Sequence, residues 1–335
     1  MARGSVLVTG AGGFIGGALV ADLRRTGLAG AIRAVDVKPP ERWYQRFDDI
    51  ENLRLDLRES EACRTAVAGV DEVFNLACNM GGIGFLETNR AACMLSVLIN
   101  THLLMASRDA GVQRYFYASS ACVYAADKQR RPDVTPLREA DAYPAMPEDG
   151  YGWEKLFSER MCRHFFEDHG LETRVARYHN VYGPHGTWDG GREKAPAAIC
   201  RKVVEACETG SGRIEIWGDG RQTRSFTYID DCLYGTHRIM ASDVRDPINL
   251  GSSELVTIDG LVDLVEQIAG VRLERHYRRD APRGVHGRNS DNTRIRKALG
   301  WEPGVRLRDG LARTYAWIQE RYRARARARR RCGPG

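Results

Sequence analysis

Lysine is scarce in this chain. Six lysines stand against 44 arginines in 335 residues, so nearly every cation is written as arginine. Arginine does not give up its proton in a protein, whereas a desolvated lysine does, so each lysine marks a place to look for chemistry. Metal-ligand spacing is missing too. The eight histidines and the nine cysteines (Cys63, Cys78, Cys93, Cys122, Cys162, Cys200, Cys207, Cys232 and Cys332) are scattered, with no C-x-x-C spacing. No structural or catalytic metal is expected from that pattern, and the thiols read as reduced, small core residues. No apolar run approaches the roughly 20 residues of a membrane helix, so no membrane partner is expected. A strand-like segment, Ser5–Thr9, begins where a signal peptide would need its apolar stretch, and a cytoplasmic location is expected. The net charge of +6 does not point to nucleic acid, because seven arginines fall within Arg321–Arg331 and the rest is close to neutral. Residues 321–335 read as an Arg-rich, disordered tail on a fraying helix end.

What the chain does have is strand–helix alternation. Hydrophobic content of 43% with 28% charged residues is ordinary for a globular protein. Strands are expected at Val6–Thr9, Ile32–Val37, Val73–Leu76 and Arg114–Ser119, with helices near Ile15–Thr26, Glu59–Val67 and Arg90–Ala110 between them. A long helix over Tyr151–His169 and a strand over Thr173–Tyr178 follow. This predicts an α/β fold, a doubly wound parallel-sheet Rossmann domain over residues 1–178 with return segments near 225–252. After Tyr178 the texture changes. A Gly-rich loop, Gly183–Gly191, precedes Pro196, which is well placed to open a helix reaching Glu208. Short strands and helices then mix, which predicts a smaller, interleaved α+β substrate-binding domain over residues 179–320.

The first strand and helix are joined by Thr9-Gly10-Ala11-Gly12-Gly13-Phe14-Ile15-Gly16. Gly10 allows the tight turn, Gly13 lets backbone approach a pyrophosphate, and Gly16 lets helix and strand pack closely. With Phe14 and Ile15 they open a helix whose N-terminus attracts anions. Asp36, 20 residues after Gly16 at the second strand end, is placed to hold ribose hydroxyls and to repel a 2′-phosphate, so NAD is favoured over NADP. Asp56 has two readings, a contact to adenine and an ordinary helix N-cap.

Tyr151 and Lys155 stand one helical turn apart and face one side. A phenol has a reference pKa of about 10, and an adjacent ammonium together with a nicotinamide cation would stabilise its phenolate. Tyr151 is then a base for a substrate hydroxyl while hydride leaves for NAD. Ser120, past a strand end, would hold that hydroxyl. Cys122 and Lys194 each have a plain reading, a small buried thiol and a solvated loop charge. Against the second stands the scarcity of lysine: Lys155, Lys194 and Lys202 all fall in the candidate site region. A thiol and an amine beside a Tyr–Lys pair suit proton transfer at carbons flanking a new carbonyl.

These motifs resemble those of the extended short-chain dehydrogenase/reductases that modify nucleotide sugars, over residues 5–320. More narrowly, Met80–Phe85, Tyr117–Tyr124, Gly186–Trp188 with Gly190–Pro196, Trp217–Gly220 with Gln222–Thr227, and Gly287–Asn292 are similar to the GDP-mannose 3,5-epimerases. The resemblance implies an isomerase. Tyr151 and Lys155 with NAD oxidise C4 of the hexose, Cys122 and Lys194 move protons at C3 and C5, and the hydride returns. It implies that Gly81, Gly82, Asn180, Glu193, Lys202, Arg224 and Arg288 hold the sugar and the diphosphate of a GDP-sugar substrate. By the same analogy a homodimer is expected. The chain departs from the pattern at Cys78-Asn79, where Ala-Asp is expected, and at Gly17, where Ser is usual. A 4,6-dehydratase would need Asp-Glu where Ala121-Cys122 stand, and a 4-epimerase would leave Cys122 and Lys194 without a task. A relative that binds NAD or RNA without catalysis would not need the full Ser120–Tyr151–Lys155 set.

Overall fold

Strands buried on both faces build the centre of the molecule, as expected where helices cover both sides of a parallel sheet. The computed structural model describes residues 4–331. The first half runs β1 (Ser5–Thr9), α1 (Phe14–Thr26), β2 (Ala31–Asp36), β3 (Glu51–Arg54), α2 (Ser60–Val67) and β4 (Glu72–Asn75). It continues through α3 (Ile83–Thr88), α4 (Arg90–Met94), α5 (Ser96–Asp109), β5 (Arg114–Ser120), α6 (Tyr151–His169) and β6 (Glu172–Tyr178). The second half runs β7 (Val181–Tyr182), α7 (Ala195–Thr209), β8 (Arg213–Trp217), β9 (Thr223–Ser225), β10 (Thr227–Tyr228), α8 (Ile229–Ala241) and β11 (Ile248–Leu250). It closes with β12 (Leu255–Thr257), α9 (Ile258–Ala269), β13 (Glu274–Arg278), β14 (Gly287–Arg288), α10 (Thr293–Leu299) and α11 (Leu307–Arg331).

Seven strands form one all-parallel sheet in the order β11-β6-β5-β4-β1-β2-β3. The order reverses between β1 and β4, which opens a crevice at their C-terminal ends. Side chains alternate between two cores with the period of a strand. Val6, Val8, Ala34, Phe74, Phe116 and Ala176 face the core shared with α1 and α8. Leu7, Val35, Val73, Tyr115, Tyr117 and Val175 face the one shared with α2 and α5. The segment returning through β11 therefore completes the seven-stranded sheet. Around it the second half builds small sheets, β12-β9-β14, β8 with β13, and β7 with β10.

The third strand lies at Glu51–Arg54, ahead of Asp56. The helix expected over Arg90–Ala110 is interrupted at Leu95. By length and composition Arg90–Asp109 is apolar enough to cross a membrane, which corrects the reading that no stretch is. Its Ala, Cys, Met, Leu, Val and Ile residues keep the average high despite Asn100 and His102. In this fold Asn100 turns to the sheet, accepting hydrogen bonds from Asn75 (3.1 Å) and Tyr115 (2.9 Å). The stretch Arg321–Arg331, expected as a disordered tail, continues α11, because alternating Ala and Arg are strong helix formers. Arg323 pairs with Glu208, and Arg325 pairs with Asp189 and lies over Trp188. Residues 332–335 lie outside the described residues.

One buried ion pair ties α6 to the sheet. Arg177 of β6 donates twice to Glu159 of α6, Nε to Oε1 at 2.9 Å and Nη2 to Oε2 at 2.7 Å. Both side chains are 2% exposed. Glu159 also accepts from Ser119 of β5 at 2.5 Å. Removing one member strands the other charge without solvent. Arg177→Met is expected to destabilise the fold by ~3–5 kcal/mol, read as a lower denaturation midpoint in urea; a change under ~1 kcal/mol would refute this assignment.

Candidate active site

The β1–α1 turn forms the floor of the crevice. Gly10 sits at φ +69°, and a Cβ there would lie 2.9 Å from the Leu76 carbonyl; one at Gly16 would lie 2.2 Å from the Gly10 oxygen. Gly13 is the N-cap residue of α1 and Phe14 its first helical residue; the first turn carries no acidic side chain. The positive end of the helix thus stays free for an anion. Asp36, buried at the end of β2, accepts the Gly12 N–H at 3.0 Å and the Lys38 N–H at 2.9 Å. Lys38 Nζ donates to the Gly12 carbonyl at 3.1 Å, so Asp36 and the turn are fixed as one unit. These residues fit the pyrophosphate and ribose of a dinucleotide. Asp56 is not an N-cap, because α2 starts at Ser60 with Glu59 in that position. Asp56 instead accepts the Arg58 N–H at 3.1 Å and pairs with its guanidinium.

At the neighbouring strand end stand the groups for proton transfer. Ser120 closes β5, and its Oγ accepts the Cys122 N–H at 3.2 Å. The short helical turn Ala121–Val123 carries Cys122. Tyr151 opens α6 above Lys155, whose Nζ lies 5.5 Å from the Tyr151 ring centre. Lys155 is buried, donates to Tyr117 Oη at 3.1 Å and sits 3.6 Å from Glu154 Oε2. Burial pulls its pKa down, but Cys78 and Glu154 outweigh that and leave the ammonium favoured. Tyr151 is pushed well above the usual phenol range, by burial first and then by Cys78, Cys122 and Glu154. The protein groups alone therefore do not favour a phenolate, which leaves a part for the nicotinamide cation that the sequence reading set beside the ammonium. Burial also lowers Lys194. Among the described residues its ammonium has no hydrogen-bond or ion-pair partner.

These groups share one cavity of about 290 Å³. It is lined by Ser120, Cys122, Tyr151 and Lys194, and by Gly81, Gly82, Asn180, Glu193, Lys202, Arg224 and Arg288. All the residues expected around a sugar nucleotide thus converge, with Lys155 beneath Tyr151. A larger groove of about 1080 Å³ between α1 and α8 holds none of them. Gly82 has no room for a side chain, since a Cβ would meet the Glu193 carbonyl at 2.4 Å. That contact, with the Gly82 N–H on the Arg192 carbonyl at 3.0 Å, seats the Lys194 loop. Asn79 assists by accepting from Arg192 at 3.2 Å. Asn180 holds φ 44° and donates to the Ser225 carbonyl at 2.9 Å.

The charged groups differ in how far they are engaged. Glu193 is held by Arg201 at 3.1 Å and Lys202 by the Glu215 carbonyl at 2.8 Å. Arg288 is occupied by Gln129, Glu148 and Cys122. Arg224 contacts the carbonyls of Thr223, Arg283 and Val285 and no carboxylate among the described residues. Burial, then Arg288, lowers its pKa to about 10. Such a guanidinium fits a diphosphate. Sequence reasoning missed Glu148, whose only signal is an acid three residues before Tyr151. It also missed Tyr117 and Glu154, which read as ordinary strand and helix residues.

Residues 6–251 match the model of the NAD dependent epimerase/dehydratase family. The chain is 47% identical to GDP-mannose 3,5-epimerase 1 of Oryza sativa subsp. japonica, covering 94% of this chain and 82% of that protein. It is 45% identical to GDP-mannose 3,5-epimerase of Arabidopsis thaliana over the same shares. Its fold is similar to UDP-glucose 4-epimerase of Thermotoga maritima solved with UDP-glucose, at a TM-score of 0.83 and 24% identity, covering 95% of this chain and 99% of that one. With the sheet order, the glycine turn and the Tyr–Lys pair all in place, this extent of match means that the chain belongs to the NAD dependent epimerase/dehydratase family and stands within it among the GDP-mannose 3,5-epimerases.

Proposed function

We propose that this chain epimerises GDP-mannose through a transient 4-keto sugar, with NAD regenerated in each turnover. One observation carries the reading: Cys122 and Lys194 line the same cavity as Ser120 and Tyr151. When bound, NAD supplies a hydride acceptor for C4 and a positively charged ring beside Tyr151. Ser120 orients the C4 hydroxyl and Tyr151 takes its proton, while Lys155 is kept charged by Glu154 and fixed by Tyr117. A carbonyl at C4 acidifies C3 and C5. Lys194, lowered by burial, takes a proton as a neutral amine, and Cys122 serves as its partner. Arg224 holds the diphosphate, and Gly81 and Gly82 leave room for the sugar. Inversion at C5 alone gives GDP-L-gulose; inversion at C3 and C5 gives GDP-L-galactose.

The reading extends to assembly and place. Met94, Leu95, Leu98 and Met105 on the α4–α5 stretch and Trp153 and Phe157 on α6 are exposed apolar side chains that suit a second copy of this chain. The cysteines of the described residues are all free, which suits a reducing, cytoplasmic compartment.

In deuterated water, the protein is expected to exchange protons of GDP-mannose at C5, and at C3 if that carbon is inverted, without net NADH; the product spectrum by NMR separates gulose from galactose. Lys194→Arg is expected to abolish this exchange, and Cys122→Ala to abolish formation of the inverted product. Arginine keeps the charge but cannot become a neutral base, so an active Lys194→Arg variant would remove Lys194 from the mechanism. The exchange rate of the wild type should rise with pH as Lys194 deprotonates. Calorimetric titration should show NAD binding roughly tenfold or more tighter than NADP, with Asp36→Asn narrowing the gap; equal affinities would refute the role of Asp36. Sedimentation is expected to report a dimer of the 37.5 kDa chain, and Trp153→Glu with Phe157→Glu should dissociate it.

A further inference from the structure

The thiol in the cavity is not left to itself. The Cys122 carbonyl accepts the Glu148 N–H at 2.9 Å, which seats the Glu148 side chain beside the sulfur. Gly152 makes the seat possible: a Cβ there would lie 2.4 Å from the Cys122 carbonyl oxygen and 3.1 Å from Glu148 Cβ. The Glu148 carboxylate lies 3.3 Å from Arg288 Nη2. Arg288 Nη1 donates to Cys122 Sγ at 3.5 Å, and Gln129 fixes the guanidinium by accepting from Nε at 2.6 Å. One guanidinium thus bridges the Glu148 carboxylate and the Cys122 sulfur, so that the sulfur has a cation at its side and a carboxylate behind that cation.

We infer that Glu148 is a positioning residue for the proton transfer: tied to Cys122 through Arg288, its negative charge keeps the resting thiol protonated, and Arg288 stabilises the thiolate left once that proton has gone. The inference rests on the epimerase reading above. In the first transfer, a C–H bond beside the C4 carbonyl breaks and its proton goes to the Lys194 amine. The electron pair passes into the carbonyl as an enolate. The carbon then takes the Cys122 proton, the S–H bond breaks, and its electron pair stays on sulfur against Arg288. Cys122 is thereby the donor and Lys194 the acceptor in that step, and nothing is oxidised or reduced.

Besides Glu148 and Arg288, the titratable groups around Cys122 are Tyr151 of α6, Lys194 before α7, Arg224 on β9, Cys78 after β4 and Cys93 of α4. Among them the thiol is pushed up to about 11, by burial first and then by Glu148. Arg288, the next cause, acts in the opposite sense. Removing the carboxylate charge must therefore lower the pH at which the thiolate forms.

The test needs no substrate. Alkylation of Cys122 by iodoacetamide, followed by peptide mass spectrometry across pH, is expected to show a wild-type midpoint well above the ordinary thiol value of about 8.5. Glu148→Gln keeps the shape and removes the charge, so its midpoint should fall by ~1 unit or more. Glu148→Asp, which keeps the charge, should restore most of the wild-type value. With GDP-mannose, the alkaline limb of the exchange profile should move down with the alkylation midpoint in Glu148→Gln. An unchanged midpoint in Glu148→Gln overturns the proposal, as does an ordinary wild-type midpoint, which decides the matter even if the variant fails to fold. A shifted midpoint supports the proposal even if the wild type exchanges no proton of GDP-mannose, in which case it is the epimerase reading that falls.

Discussion

A single buried carboxylate holds the catalytic edge together. Glu159 of α6 takes both arms of Arg177 from β6 and the hydroxyl of Ser119 from β5. Ser119 is the neighbour of Ser120, and Glu159 stands one turn beyond Lys155 on the same helix. The pair therefore sets the distance between the strand end that offers Ser120 and Cys122 and the helix that offers Tyr151 and Lys155. Arg177 also donates to the Glu139 carbonyl at 2.7 Å. The Glu139 carboxylate accepts the Asn249 N–H of β11 at 3.0 Å, and Asn249 donates to Leu137 and Asp291 carbonyls. Segments from both halves of the chain are thus tied to the same buried charge. Such pairs contribute little net stability against apolar substitutes, but they penalise any packing that leaves a charge unmatched.

Above that frame, chemistry follows from which charges have partners. Lys155 is matched by Glu154, and Arg288 by Glu148. Both stay protonated and serve as fixed cations. Arg224 and Lys194 have no carboxylate among the described residues. Their unneutralised charges in a largely buried cavity are costly without a ligand, and the cost falls in two different ways. Arg224 cannot lose its proton, so it is relieved by an anion such as a diphosphate. Lys194 can lose its proton, so it is relieved by becoming an amine, the form a base requires.

The parallel sheet was legible because its strands are continuous apolar runs separated by helical periodicity. The glycine turn was legible because the contacts at Gly10 and Gly16 exclude every larger side chain. Other features follow only from chain pairing. β12, with Leu255 and Thr257 exposed, carries no apolar run and exists because Thr223–Ser225 pairs with it. The engagement of Arg288 was equally hidden. It depends on Gln129 and Glu148, residues 159 and 140 positions away, and no local pattern records that meeting. Asp56 was readable as a strand-end acid but not as the partner of Arg58, because propensity does not say which neighbour a carboxylate will choose. The tail was expected as a fraying helix end passing into disorder, while the alternation of arginine with alanine favours a helix that continues to Arg331 and that Glu208 and Asp189 anchor.

The scarcity of lysine acquires a physical meaning in this arrangement. Lys38 reaches the carbonyl of Gly12 in the cofactor turn, Lys155 lies under Tyr151, Lys194 faces the cavity, and Lys202 lines it. Lys128 and Lys297 are exposed and have no part in either site. A guanidinium at position 155 would present a planar fork where a point charge must fit between Tyr117 and Glu154. At position 194 it would hold its proton permanently and could serve neither as acceptor nor, after acceptance, as donor. The chain uses arginine where a cation needs only to be permanent, and lysine where its size or its proton matters. On that logic the partner of Lys194 must also be able to change protonation state. Of the uncharged groups lining the cavity with it, the Cys122 thiol, set beside the Arg288–Glu148 pair, is the one whose surroundings serve both of its forms.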